Sequence, residues 1–323
     1  MNYTDLHCDT VSRCFKEKKS FYDSDLQINA IKTKGIENYR QFFALWLSDE
    51  LQGKAAFSLC KNMLDYYEAE IVPIISECKN IWAHLSIENA SALGGDVGNV
   101  AYFKDRGVGI MSLTWNGEND LASGTDAKGG LKPMGRQVVK EMARYNMTLD
   151  VSHLNEESFY DVCLTDSIRI IATHSNCYDI CKHKRNLKKW QIKELISRDG
   201  LIGINFYPPF LGTGRWGVFE KIRDNISYLL SMGGENCIAL GSDFDGAEMA
   251  EELSGIDKVE SLYGYRISEG LSEREAKKIF YRNAEKIMNC DNSSVRPSVC
   301  HLPYQGRQNK PSLKEKWDRF SGG

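Results

Sequence analysis

Eight short runs rich in Val, Ile, Leu and Phe recur along the chain, at residues 3–9, 40–47, 81–88, 108–115, 147–153, 168–174, 201–207 and 237–243, each parted from the next by a helical pattern or a loop. Near-continuous apolar runs suit strands covered on both faces, and strands alternating with helices suit a parallel sheet. Helical spacing is clearest at 133–146, where Met134, Val138, Met142 and Tyr145 fall four, four and three residues apart. Pro133 suits the first turn of that helix. Segments 55–71, 188–197, 216–232 and 272–288 read the same way, the last opening on Ser272 and Glu275 at capping-box spacing. The period is weaker after the first and third runs. Eight strand-helix repeats define the expected fold as an α/β protein, a (β/α)8 TIM barrel. The competing arrangement is a doubly wound open sheet, but no Gly-x-Gly-x-x-Gly follows the first run.

The length of 323 residues accommodates such a barrel as one unit. With 41 Lys+Arg against 44 Asp+Glu, interspersed, the net charge is −3, which argues against a nucleic-acid partner. No run of 18 apolar residues exists to cross a membrane. Ten cysteines occur without a Cys-x-x-Cys pair, and the first residues lack the basic and apolar regions of a secretory leader. A reducing, cytoplasmic setting is therefore expected, with free thiols. Beyond residue 288 the pattern changes: Pro297, Pro303 and Pro311 fall in a mildly basic stretch without period. The expected organisation is a barrel domain over 1–288 and an irregular tail over 289–323.

The apolar runs end on polar residues: His7 and Asp9, Glu88, Trp115, His153, His174, Tyr207 and Asp243. In a closed barrel the C-terminal strand ends converge on one mouth, where reactive groups sit. Taken singly, each histidine would pass for a core or capping residue, Glu88 for a solvated loop carboxylate, and Asp243 for a turn residue before Gly246. Together they supply mixed nitrogen and oxygen ligands suited to Zn2+ or a similar divalent ion. His7, Asp9, Glu88, His153 and His174 exceed one tetrahedral shell. They suffice for two ions if Glu88, with two oxygens and a strand of its own, bridges them. Two ions so placed hold a hydroxide that attacks at neutral pH. Asp243 then stands beside it as proton acceptor and donor.

Six segments in order, Asp5-Leu6-His7-Cys8-Asp9, the Glu88 strand end, Leu149-Asp150-Val151-Ser152-His153, Thr173-His174-Ser175-Asn176, His183-Lys184-Arg185-Asn186-Leu187 and Gly241-Ser242-Asp243-Phe244-Asp245-Gly246, resemble the membrane dipeptidase (renal dipeptidase) family, M19, of the amidohydrolase superfamily. The resemblance runs from about Tyr3 to Met288. It implies a barrel that holds two zinc ions and cleaves dipeptides, including some with a D-residue second, while some members open β-lactams. By motif, His7 and Asp9 would hold one zinc and His153 and His174 the other, with Glu88 between them. Asp243 would be the catalytic acid/base, and Arg185 would bind the substrate's C-terminal carboxylate. A homodimer is also implied.

Two positions depart from the pattern. Leu113-Thr114 is followed by Trp115, where mammalian members have a histidine near the scissile carbonyl; here an indole would meet the substrate. The family's Glu-Gly-Gly is replaced by Glu88-Asn89-Ala90. The alternative readings are an amidohydrolase acting on another small amide or lactam through the same metals, and a catalytically silent barrel that binds a partner.

Overall fold

In the computed structural model, which describes residues 1–165, 168–214 and 216–288, every apolar run becomes a strand. The expected tail, 289–323, lies outside the described residues. The strands are β1 (Asn2–Cys8), β2 (Asn38–Trp46), β3 (Ile81–Glu88), β4 (Val108–Ser112), β5 (Thr148–Asp150), β6 (Arg169–Ile171), β7 (Ile202–Ile204) and β8 (Ile238–Leu240). They form one sheet in the order β6-β5-β4-β3-β2-β1-β8-β7, with parallel pairing throughout. A parallel bridge from Ala172 to Ile202 then joins the two edges. There Ala172 N–H donates to the Leu201 carbonyl and Gly203 N–H to the Ala172 carbonyl, each at 2.8 Å. The sheet thus curls into a barrel, the parallel eight-stranded arrangement expected from the sequence.

Helices follow the predicted positions closely. Pro133–Arg144, Lys189–Ser197 and Val218–Ser231 match their expected spans to within two residues. Gly53–Tyr66 continues through a wider π turn at Tyr67–Ile71. Helices also occupy the two weakly patterned stretches, at Thr10–Glu17 and Asn99–Asp105. The expected single helix over 272–288 is corrected to pieces: Glu273–Phe280, a 3-10 turn at Arg282–Ala284, and Glu285–Met288. Ser272 and Glu275 do form the capping box, each accepting the other's backbone N–H, at 3.3 and 3.0 Å. The break has a tertiary cause. Asn283 Nδ2 donates to the carbonyls of Glu235 and Ile238, both at 2.8 Å, and pulls the turn beneath β8. Ala284 and Ile287 then pack against Leu6, Phe42, Ile110 and Ile171, sealing the lower end of the barrel.

His84 lies inside this sealed end, stacked on Phe42 with ring centroids 4.6 Å apart. Burial lowers its pKa to about 4, and the Arg40 charge adds to the effect. The unfolded chain takes up a proton near pH 6.5, before the folded chain does. Stability is therefore fully present above pH 6.5 and is lost as the pH falls toward 4, at about 1.4 kcal/mol per pH unit. Relative to His84→Leu, the wild-type protein is expected to lose about 3 kcal/mol between pH 7 and 4. Denaturant unfolding of both proteins across that range measures the difference; parallel pH curves would count against a buried neutral imidazole.

The strands β4 to β8 end about three residues earlier than the sequence pattern implied. Side chains take over from the ladder at those ends. Asp5 Oδ1 accepts the N–H groups of His7 and Ser242 at 3.2 and 2.9 Å. Asp150 Oδ1 accepts those of Ser152 and Thr173, both at 3.0 Å. Asn205 Oδ1 accepts that of Tyr207 at 2.7 Å. Each carboxylate or amide turns the chain out of the sheet and aims the next residues into the mouth.

Candidate metal centre

Glu88, the last residue of β3, sits at the middle of the mouth and is buried. Its Oε2 lies 3.2 Å from His7 Nε2. Its Oε1 lies 2.6 Å from His153 Nε2 and 3.8 Å from His174 Nε2. His7 Nε2 is also 3.6 Å from Asp9 Oδ2 and 4.0 Å from Asp243 Oδ1. His153 Nε2 and His174 Nε2 are 2.9 Å apart. Two groups of donors thus share one carboxylate: His7 with Asp9 on one side, and His153 with His174 on the other. All five sequence-predicted ligands are brought together.

The donors fit cations. Among the described residues, His7 Nε2, Asp9 Oδ1 and Glu88 Oε2 are buried without a hydrogen-bond partner. Bonds of about 2.0–2.1 Å to a tetrahedral ion would put neighbouring donors about 3.3 Å apart. The observed separations scatter around that value. A cation would satisfy donors that otherwise oppose one another. Burial alone would lower the His7 pKa, yet the Glu88 and Asp9 carboxylates hold it well above the usual value. Burial pushes His153 and His174 well below theirs, with the neighbouring charges of Arg185 and His7 adding to it. Burial raises Glu88 to about 7, opposed by His7 and reinforced by Asp9.

A shell unread in the sequence fixes the histidine tautomers. Thr173 Oγ1 donates to Asp150 Oδ2 at 2.5 Å and lies 2.7 Å from His174 Nδ1. Its one hydrogen being spent on Asp150, it accepts from His174 Nδ1–H and leaves the Nε2 lone pair facing Glu88. His153 Nδ1 is likewise 2.9 Å from Asn116 Oδ1, so its Nε2 lone pair faces inward as well. Asp150 lies near His7 and His174, but its oxygens take bonds from the backbone and hydroxyl groups of both Ser152 and Thr173. With these bonds it braces the strand ends that carry His153 and His174. Thr173→Val keeps the shape and removes this link. Its cation affinity is expected to fall about 10–100-fold, as measured by competition with a chromophoric chelator. An unchanged affinity would detach Thr173 from the metal centre.

Asp243 lies beyond β8 with φ 67°, and Asp245 follows with φ 65°, a conformation that asparagine and aspartate tolerate better than most residues. Asn205 Nδ2 donates to Asp243 Oδ2 at 3.0 Å, leaving Oδ1 directed at His7. Burial raises the Asp243 pKa to about 6; His7, Asn205 and Arg185 oppose the shift while Asp9 adds to it. Gly246 lets this loop approach: a Cβ there would lie 2.6 Å from Asp243 Oδ1 and would collide with Asp9 Oδ2. Asn89 occupies the position after Glu88 with φ 82°, a region that glycine enters freely and asparagine more readily than most residues. Its side chain accepts from Ser91 N–H at 3.1 Å and from Asn119 Nδ2 at 3.0 Å, bracing the loop behind Glu88.

Arg185 is buried beside His153. Its Nη2 is 2.9 Å from His153 Nε2, its Nη1 donates to the Ser152 carbonyl, and its guanidinium lies over Phe210 at 5.4 Å. Its Nε has no partner in the structure. Burial lowers its pKa, and the more distant carboxylates only partly offset this. A buried guanidinium with spare donors is suited to a ligand carboxylate. Trp115 stands at the edge, its ring centroid 6.4 Å from that of His153. Sequence reasoning located these residues but missed Asn116, Asp150, Thr173 and Asn205. Asp150 and Thr173 stood within the segments that carry the resemblance, without a role; for Asn116 and Asn205 the available signal was proximity to strand ends.

Residues 1–296 match the membrane dipeptidase family, peptidase family M19. The chain belongs to that family, a class of metal-dependent dipeptidase hydrolases. Among its relatives, a Klebsiella pneumoniae protein, described as an uncharacterized protein in the pqqA 5′ region, is 30% identical over 62% of this chain and 79% of its own. The uncharacterized dipeptidase C3A11.10c of Schizosaccharomyces pombe is 27% identical over 64% of this chain, and the match spans 53% of its length. Among solved structures, a metallopeptidase from Rhodobacter sphaeroides liganded with a phosphinate mimic of L-Ala-D-Ala superposes with a TM-score of 0.81 at 20% identity, covering 90% of this chain and 99% of that one. The dipeptidase AC, of family M19, gives a TM-score of 0.82 at 22% identity, with 90% and 98% covered. These two show that the fold is shared. Among the described residues, no helix is long and apolar enough to cross a membrane.

Proposed function

We propose that the protein is a binuclear zinc dipeptidase with the mouth of the barrel as its active site. The observation that carries this reading is the placement of the two Glu88 oxygens, one toward His7 and the other toward His153. When bound, two divalent ions supply Lewis acidity and bring a shared water toward hydroxide near neutral pH. His7 and Asp9 hold one ion and His153 and His174 the other. Arg185 binds the free carboxylate of the substrate, which limits the chain length accepted. Asp243 takes up a proton at Oδ1 and returns it to the departing amine, while Asn205 fixes its other oxygen. The Rhodobacter enzyme's L-Ala-D-Ala mimic supports extending the reading to a D-residue in second position. A cytosolic homodimer completes it; the eight free thiols among the described residues suit that compartment.

Elemental analysis and a substrate panel test the proposal. Protein purified without chelator is expected to carry about two equivalents of a divalent metal. Chelation should abolish cleavage of L,L- and L,D-dipeptides, and Zn2+ should restore it. Absence of metal, or turnover indifferent to chelation, would overturn the binuclear reading. Faster cleavage of N-acyl amino acids or lactams than of dipeptides would assign the site to another amide.

A further inference from the structure

The mouth opens into a cavity of about 810 Å³ that extends well past the metal ligands, near the upper end of the roughly 300–1,000 Å³ range of small-molecule sites. Its two sides differ in chemistry. On the side of β6 and β7 stand Arg185, Tyr207 and Phe210. On the side of β1, β2 and β4 the lining includes five apolar side chains, Phe15, Trp46, Leu59, Met63 and Trp115. Leu59 and Met63 are one turn apart on the helix Gly53–Tyr66 and share a face. Trp46 and Trp115 meet edge to face, ring centroids 5.2 Å apart, so the wall begins next to His153.

We infer that this apolar wall is the subsite for the side chain of the substrate's N-terminal residue, and that the enzyme prefers dipeptides whose first residue is bulky and apolar. The inference rests on the dipeptidase reading. With the C-terminal carboxylate on Arg185 and the scissile carbonyl over Glu88, the N-terminal residue extends across the mouth. The sheet order places β1 and β2 across the barrel from β6. The first side chain therefore meets Trp115, Trp46, Phe15 and Leu59.

Steady-state kinetics on Phe-Ala, Leu-Ala, Lys-Ala and Gly-Ala, with the reversed pair Ala-Phe and Ala-Leu, tests the assignment in the metal-loaded enzyme. The kcat/KM for Phe-Ala and Leu-Ala is expected to exceed that for Gly-Ala and Lys-Ala by roughly tenfold or more. Reversing the dipeptide should forfeit most of that gain. Leu59→Ala, at a half-buried position, should lower the Leu-Ala to Gly-Ala ratio several-fold. Turnover of all dipeptides at similar rates, or a preference that follows the second residue, would overturn the subsite and leave the dipeptidase reading intact. Failure to cleave any dipeptide would overturn both.

Discussion

Glu88→Gln is expected to cost the protein its paired metals and turnover on the order of 10³-fold. An amide offers one good ligand oxygen where the carboxylate offers two, and its NH₂ group would face one of the two histidine sets. His7 lies 3.2 Å from one Glu88 oxygen and His153 lies 2.6 Å from the other, so neither orientation of the amide serves both. Metal content should fall from about two equivalents to one or fewer. The fold should survive, because burial already disfavours the charge on this carboxyl and raises its pKa to about 7. Elemental analysis, circular dichroism and dipeptide turnover on one preparation give the result. A variant with two metals and wild-type turnover would remove Glu88 from the bridging role.

Asp243→Asn separates proton transfer from metal binding. The Asp243 oxygen is 4.0 Å from His7, the longest of the separations measured from that nitrogen. Metal content is therefore expected to stay near two equivalents, while kcat falls about 10²–10⁴-fold. KM should change little, since Arg185 remains in place. Asn205 Nδ2 can still donate to the new side-chain oxygen, so the loop needs no rearrangement. The loss should therefore report on the proton. Full turnover with both metals bound would eliminate Asp243 as acid and base; loss of the metals would reassign it as a ligand.

The barrel was legible because parallel strands buried on both faces read as apolar runs, and the polar residue closing each run stands out against them. His153, His174 and Asp243 were found this way even though the strands stop short of them. The supporting shell left no such mark. Asn116, Asp150, Thr173 and Asn205 are residue types common in turns, and their roles depend on neighbours that only closure of the barrel supplies. The 272–288 segment misled for a related reason. Its period is helical, and the Asn283 contacts that break it lie 48 and 45 residues away in sequence. Trp115 was legible as the residue that closes its run, while its partner Trp46 carried no signal until the two rings met.

The join between the first and last strands has a consequence for synthesis. Asp5 pairs with Leu240 across the β1–β8 seam, and Thr10 donates to Asp245 from 235 residues away. The lower seal arrives later still, with Ala284 and Ile287. A nascent chain that has exposed β1 to β6 holds histidines and the bridging carboxylate, yet it lacks the strand that braces His7. Contacts of such sequence separation form slowly, because loop closure precedes their stabilisation. The five donors at the mouth are thus brought together late, in chains translated nearly to the end of the barrel.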